Sequence, residues 1–273
     1  MYQFSAYIFL FILGLVVGSF TNVIVLRRST GKGIHGRSKC TSCSHTLGVF
    51  DLIPILSYVF LRGKCRYCGA KISPMYPLVE FVTGLMFVLV GMKSLFLGAS
   101  FFYYYALFLE ITFWSVILAI ILYDLKHTII PNAWALVATV VSILFSLSIY
   151  WGEWKSFLYS ILSGIIFGGF FFLIWLLSRG KWMGLGDAKL AFPLGVFVGL
   201  GKLFSSWALS FWIGALVMLL YMLIDMFTGI RRKRPAGFDS QTITFKSEVP
   251  FGPFLFIGSF MAYLGVIIPI NGF

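Results

Sequence analysis

The chain has 273 residues, of which 60% are hydrophobic and only 11% are charged, and several apolar runs approach the length of a membrane span. This composition excludes an ordinary soluble globular protein and predicts an all-α polytopic membrane protein. The formal net charge of +12 suits loops that face anionic membrane lipids, and it gives no reason to expect a nucleic-acid partner.

Hydropathy predicts about eight transmembrane helices. The sixth is short and contains Pro193, so a kinked or only partly inserted helix is the alternative at that position. In chain order, the helices are expected at residues 4–26, 76–97, 101–123, 132–151, 157–178, 187–201, 203–225 and 250–270.

The basic residues predict the orientation of these helices. With eight crossings, three of the 21 Lys and Arg residues (Lys93, Lys155 and Lys202) fall on one side and the other 18 on the opposite side. The side rich in Lys and Arg is expected to be cytoplasmic. If the sixth helix did not cross, the cluster "RRKR" at 231–234 would lie outside, against this rule. Both termini are therefore expected to be extracytoplasmic.

A polar loop at residues 27–75, between the first helix (1–26) and the second, contains all four cysteines, in "CTSC" and "CRYC". Two CxxC pairs at this separation are typical of a tetrahedral zinc site, whereas two disulfides are disfavoured in a reducing cytoplasm. A site with four thiolate ligands has no open position, so the zinc is expected to be structural. Between the pairs, the apolar stretch at 49–63 is expected to lie along the membrane surface. The predicted ligands are Cys40, Cys43, Cys65 and Cys68.

Two aspartates are the main catalytic candidates. Asp124 ends the third predicted helix and Asp187 begins the sixth, so the predicted topology places both at the cytoplasmic edge of the bilayer. Acids at such positions are costly unless they are paired, hydrated or functional. Two neighbouring carboxyl groups can hydrolyse a peptide when one is ionised and activates water while the other stays protonated. The sequence therefore favours a pair formed by Asp124 and Asp187.

Glycines at 184 and 186 are expected to let an extended substrate backbone approach Asp187. Simpler roles remain open, because Asp187 alone reads as a helix N-cap and Asp124 alone as an interfacial residue. Glu110 lies too far along its helix to share a water with Asp124, so a polar contact between helices is expected there. Asp225, near the end of the seventh predicted helix, is the competing acid.

These residues together resemble a known family, the bacterial type IV prepilin leader peptidases, which are membrane aspartyl proteases of the GxGD kind. The GxGD pattern alone is weak, but the cysteine loop and the order of the landmarks are specific. They run along nearly the whole chain: "GSFTNVIVLRR" (18–28), the paired CxxC loop, "ISPMYPLVEFVTG" (72–84), "DLKHTIIPN" (124–132) with "GLGDAKL" (184–190), and "PFGPFL" (250–255).

The resemblance implies that Asp124 and Asp187 are catalytic and that residues 76–273 form the protease core in the bacterial inner membrane. It implies cleavage after a glycine at the end of a short basic leader, on prepilins or on the pseudopilins of type II secretion. It also implies methylation of the new amino terminus with S-adenosylmethionine. The region around Glu80 is the candidate for that second reaction.

Three other functions compete with this interpretation. A transporter or channel would use the acids as an ion or proton relay and predicts acids at several depths of the bilayer. A scaffold organised by the zinc loop leaves the glycines around Asp187 unexplained. A presenilin-like protease would cut inside a substrate's transmembrane helix, and such relatives usually lack a four-cysteine loop.

Overall fold

The computed structural model describes residues 2–29, 36–94, 101–228 and 250–265. Within these ranges the chain is almost entirely helical and contains only isolated β-bridges, which confirms the all-α prediction. The helices are α1 (Tyr2–Ser29), α2 (Leu56–Phe60), α3 (Met75–Ser94), α4 (Phe101–His127), α5 (Asn132–Ile149), α6 (Trp154–Ser178), α7 (Leu185–Val198), α8 (Leu200–Thr228) and α9 (Gly252–Leu264).

Each of the eight predicted spans corresponds to a helix. In the part of the chain that the structure describes, fewer than eight of these helices are long enough to cross a membrane. Six helices of the described residues are long and apolar enough to cross a membrane, namely α1, α3, α4, α5, α6 and α8. With 14 and 13 residues, α7 and α9 are each about 20 Å long, whereas a hydrocarbon core is about 30 Å thick. The eighth predicted span continues past residue 265, and both that part and "RRKR" lie outside the described residues. Full crossing by α7 and α9 stays a prediction.

The chain forms two compact units, Met1–Ile111 and Thr112–Phe273, with the boundary inside α4. In the first unit, α1 packs along α3. A Cβ atom at Gly14 would lie only 2.7 Å from the Cα atom of Gly84, so the two helices touch through their backbones. The Ser94 hydroxyl also donates a hydrogen bond to Glu110 across α3 and α4, as expected for a polar contact between helices.

In the second unit, α7 is central despite its short length. It packs against α5, α6, α8 and α9, and a Cβ atom at Gly195 would lie 2.8 Å from the Ser163 carbonyl oxygen of α6. The rings of Phe113 and Phe197 stack with their centroids 4.0 Å apart beside the fully buried Trp114. Tight packing on several sides fixes α7, and with it Asp187 in its first turn.

Candidate active site and cysteine cluster

The four cysteines lie on two turns with the same local geometry. Each CxxC turn is closed by a hydrogen bond to the carbonyl oxygen of its first cysteine, from Ser44 N–H to Cys40 at 2.9 Å and from Gly69 N–H to Cys65 at 2.9 Å. Ser44 and Gly69 both have positive φ angles, 58° and 71°. The backbone N–H groups of Cys43 and then Ser42 lower the pKa of Cys40 to about 6.

The two turns bring the four sulfur atoms within 4.8 Å of one another, and all four cysteines are free thiols. The Cys40 and Cys68 Sγ atoms are 3.9 Å apart. Sulfur atoms bound to one tetrahedral zinc are separated by about 3.8 Å, since each Zn–S bond is about 2.3 Å long. The donor set therefore fits zinc. His45 stacks on Tyr67, with 3.7 Å between ring centroids, so its ring has another contact in this cluster.

Asp124 lies in the last turn of α4 and is buried, with 5% of its surface exposed. The helix ends just beyond it, where Thr128 takes a left-handed conformation with φ of 54° and its N–H donates to the Asp124 carbonyl oxygen at 2.7 Å. This conformation is rare for a β-branched residue, and it ends α4 so that the following chain turns back. The Asp124 carboxyl group is thus held by the end of a helix whose next residues return toward α7.

Asp187 is the third residue of α7 and is half-buried. The N-cap of α7 is Gly184, without a side-chain capping bond, so the simpler interpretation of Asp187 as an N-cap is wrong. Asp124 and Asp187 are close enough for the charge of one to act on the other. The structure therefore brings together the two acids that the sequence paired.

Two further contacts join the segments that carry these acids. A Cβ atom at Gly186 would lie 3.2 Å from the Ile130 side chain, so the missing side chain of Gly186 makes room for the chain's own Ile130. The Lys189 ammonium group donates to the Asn132 side-chain oxygen at 2.8 Å. Gly184, in contrast, is exposed, and a Cβ atom there would have no neighbour nearer than 3.9 Å. Of the two glycines, only Gly184 has open space where a side chain would project.

Sequence reasoning missed Gly252 as part of this site. Gly252 begins α9 and is buried, and a Cβ atom there would lie 2.9 Å from Oδ2 of Asp124. The available signal was the "PFGPFL" segment, in which a glycine stands between aromatic and proline residues. Its meaning depends on a close approach of α9 to α4, which local sequence does not encode.

Two shallow grooves lie on the surface next to Lys189. One, of about 370 Å³, is lined by Asn132, Ala135, Leu136, Thr139, Lys189 and Phe192. The other, of about 330 Å³, is bordered by small and apolar residues of α6 and α7, including Gly168 and Gly169. Both grooves are mainly apolar, and both are lined by Lys189, which follows Asp187 by two residues.

The other polar candidates occupy different positions. Glu80 lies in α3 in the first unit and is buried, and its Oε2 atom accepts a hydrogen bond from Ile55 N–H at 2.8 Å. The ring of His127 contacts that of Tyr123, with 4.5 Å between centroids. Asp225 belongs to α8, but its side chain lies outside the described residues.

The fold and these sites define a multi-pass helical membrane protein that carries a pair of interacting carboxyl groups and a four-cysteine cluster. Family models match most of it: the bacterial peptidase A24 N-terminal domain at residues 12–94 and the type IV leader peptidase family at residues 111–223. The chain belongs to the type IV leader peptidase family, which confirms the resemblance seen in its motifs.

Curated relatives agree with this assignment. A prepilin leader peptidase/N-methyltransferase of Bacillus subtilis is 33% identical over 93% of this chain and 92% of the relative. Proteins of the same name from Myxococcus xanthus and Pseudomonas putida are 31% and 30% identical, over 88% and 93% of this chain and 71% and 88% of the relatives. No solved structure matches the chain at a significant level.

Proposed function

We propose that this protein is an aspartyl endopeptidase that removes the basic leader of type IV prepilins or pseudopilins, cutting after a glycine. The observation that carries this proposal is the approach of Asp187 to the buried Asp124, within reach of its charge. The relatives that match along nearly the whole chain are named for prepilin leader cleavage. Asp124 and Asp187 are the proposed catalytic residues.

The proposed chemistry needs only these two carboxyl groups and water. The ionised carboxylate takes a proton from a water molecule, whose oxygen forms a bond to the scissile carbonyl carbon, while the protonated acid donates to the carbonyl oxygen. Collapse of the tetrahedral intermediate breaks the C–N bond, and a proton passes to the leaving amine. Gly184 leaves space for a substrate backbone beside Asp187, and the grooves next to Lys189 are apolar enough for the substrate's apolar segment.

We propose a second activity, methylation of the new amino terminus, because the relatives carry N-methyltransferase in their names. The terminal amine would take the methyl group from the sulfonium of S-adenosylmethionine, which would leave as S-adenosylhomocysteine, and the methylated amine would lose one proton. Glu80 is the candidate residue in the α3 region, but its carboxylate already accepts a hydrogen bond from the Ile55 backbone. We therefore assign Glu80 no step in the transfer.

The four-cysteine cluster is proposed to hold one structural zinc ion. Cys40, Cys43, Cys65 and Cys68 would occupy all four tetrahedral positions and leave none for water or substrate. The metal would fix the two CxxC turns against each other and so fold the loop of the first unit.

We further propose that the cysteine loop and the aspartates face the cytoplasm of the inner membrane, with both termini on the other side. Reporter fusions after Lys181 and after Lys202 test the decisive step, the crossing of α7. A cytoplasmic reporter signal at Lys181 and an extracytoplasmic one at Lys202 are expected. The same sidedness at both positions would show that α7 does not cross.

The proposed activity is tested by incubating a basic-leader prepilin with purified protein in lipid and reading the product's amino terminus by mass spectrometry. Asp124→Asn and Asp187→Asn are each expected to abolish a cut after the leader glycine. Persistent cleavage by both variants would overturn the pair, and a cut inside the apolar segment would indicate presenilin-like specificity. A methyl mass that depends on added S-adenosylmethionine, also on pre-cut pilin, would establish the second activity separately.

A further inference from the structure

The segment between the two CxxC turns exposes an unusual amount of apolar surface. Phe60 is 82% exposed, Val49 79% and Phe50 75%. Leu52, Ile53, Leu56 and Val59 are exposed as well, so seven large apolar side chains of residues 49–60 face away from the protein. A contiguous patch of this kind in water is costly and usually marks a contact with a partner or a membrane.

The depth of this segment relative to α3 identifies the partner. The backbone N–H of Ile55 donates to Glu80 at 2.8 Å, and Glu80 lies five residues, or about 7.5 Å, inside the helix that begins at Met75. Residues Met75–Ser94 form one of the helices long and apolar enough to cross the membrane. Ser19, nine residues before the end of the candidate span of α1 at Arg28, also lies near Glu80. Ile55 therefore lies at the depth of the bilayer surface, among residues of two spans.

The backbone at this point is held in a strained conformation. Ile55 has a φ angle of 59°, which β-branched residues rarely adopt. Its N–H is part-buried beside α3, and the buried Glu80 carboxylate supplies the acceptor. The hydrogen bond thus satisfies the backbone donor of the turn that places the apolar segment beside α3.

The charges of the loop fit an anionic lipid surface. Asp51, the only acidic residue at positions 36–75, forms an ion pair with Arg66 at 2.8 Å and accepts from Gly48 N–H at 3.0 Å. Its charge is therefore neutralised within the loop. Arg62 and Lys64, directly after the apolar segment, are exposed cations that can reach lipid phosphates.

We propose that residues 49–60 form an interfacial membrane element whose exposed apolar side chains insert among lipid acyl chains below anionic headgroups. The loop that carries the CxxC turns is thereby anchored to the membrane twice, by insertion of this segment and by its covalent connection to α3. The insertion of this element is tested independently of the proposed cleavage and methylation, since none of its residues is assigned a step in either reaction.

Photo-crosslinking in nanodiscs of phosphatidylcholine and phosphatidylglycerol tests the proposal. Benzoylphenylalanine replaces one aromatic residue at a time: Phe50 or Phe60 in the segment, the exposed Phe81 of α3 as the lipid-facing reference, and the exposed Tyr67 of the CxxC turn as the matched control. Lipid adducts are measured by mass spectrometry. Adducts at Phe50 and Phe60 are expected within about twofold of those at Phe81 and at least about tenfold above those at Tyr67.

Adducts at Phe50 and Phe60 no higher than at Tyr67 would overturn the proposal. Crosslinks to a second copy of the chain, or to a prepilin added to the nanodiscs, in place of lipid would also overturn it and would identify a protein partner. Zinc content and thermal denaturation of each variant establish that the loop is folded, so that a negative result at Phe50 and Phe60 counts against insertion.

Discussion

The carboxyl group of Asp124 lies directly against the backbone of Gly252, because a Cβ atom at Gly252 would come within 2.9 Å of Oδ2. The same Cβ atom would lie 3.2 Å from Ile121 and 3.6 Å from Leu190, so it has no free direction in which to fit. The beginning of α9 therefore forms one wall of the pocket that holds this acid.

Gly252→Ala is expected to displace the Asp124 carboxyl group and to lower kcat/KM for prepilin cleavage by about 100-fold, a loss that a misplacement near 1 Å can cause. Gly201→Ala is the matched control, since a Cβ atom there meets nothing within 4 Å. Thermal denaturation distinguishes a shifted acid from an unfolded protein. Unchanged kinetics in a folded Gly252→Ala variant would contradict the role assigned to this contact.

The two glycines of "GLGD" are expected to respond differently to the same substitution. Gly186→Ala places a methyl group 3.2 Å from the Ile130 side chain, which must shift to accept it, and is expected to lower the thermal midpoint. Gly184→Ala places its methyl group in open space, so the thermal midpoint should stay near that of the wild type while KM for the prepilin rises. Equal losses of stability in both variants would argue against this division of roles.

The hydrogen bond from Lys189 to Asn132 joins α7 to the start of α5 at 2.8 Å. Lys189→Met and Asn132→Ala are each expected to lower cleavage several-fold, because either one releases the segment that follows Asp124. A double-mutant cycle should give a coupling energy of about 1 kcal/mol. Lys181→Met, which removes an exposed lysine just before α7, is the control. Additive effects of the two changes would show that the bond does not contribute.

Metal removal tests the cysteine cluster. Purified protein is expected to contain one zinc ion per chain and four thiols that Ellman's reagent does not reach until a strong chelator is added. Cys43→Ser should lose the metal and release the remaining thiols, whereas Ser42→Ala, at the neighbouring exposed position, should keep both properties. Two disulfides in metal-free protein purified without oxidant would refute the zinc assignment.

Glu80 gives a test that separates anchoring of the loop from cofactor chemistry. Glu80→Gln keeps an acceptor for Ile55 N–H, whereas Glu80→Ala leaves that part-buried donor without its acceptor, at a cost of about 1 kcal/mol. Limited trypsin digestion at Arg62 and Lys64 should therefore accelerate in the Ala variant and not in the Gln variant. Loss of methylation in a Glu80→Gln protein with normal trypsin resistance would instead assign the carboxylate charge to the methyl-transfer reaction.

The sequence by itself determined the helices and the individual CxxC turns, because a membrane span needs only an apolar run of sufficient length and a CxxC turn places its two thiols within a few residues. The pairing of Asp124 with Asp187 was predicted from the topology and from the family resemblance, and it is not a local feature. The order of motifs along the chain was also enough to identify the family.

Only the tertiary structure decided which surfaces meet. In a membrane protein, side chains that face lipid and those that face another helix are both apolar, so hydropathy reports the span and not the partner. For that reason local sequence did not predict three contacts: Gly252 against Asp124, Ile130 against Gly186, and the hydrogen bond from Ile55 to Glu80. Each depends on distant segments meeting at backbone distance, which tight helix packing determines and local periodicity does not.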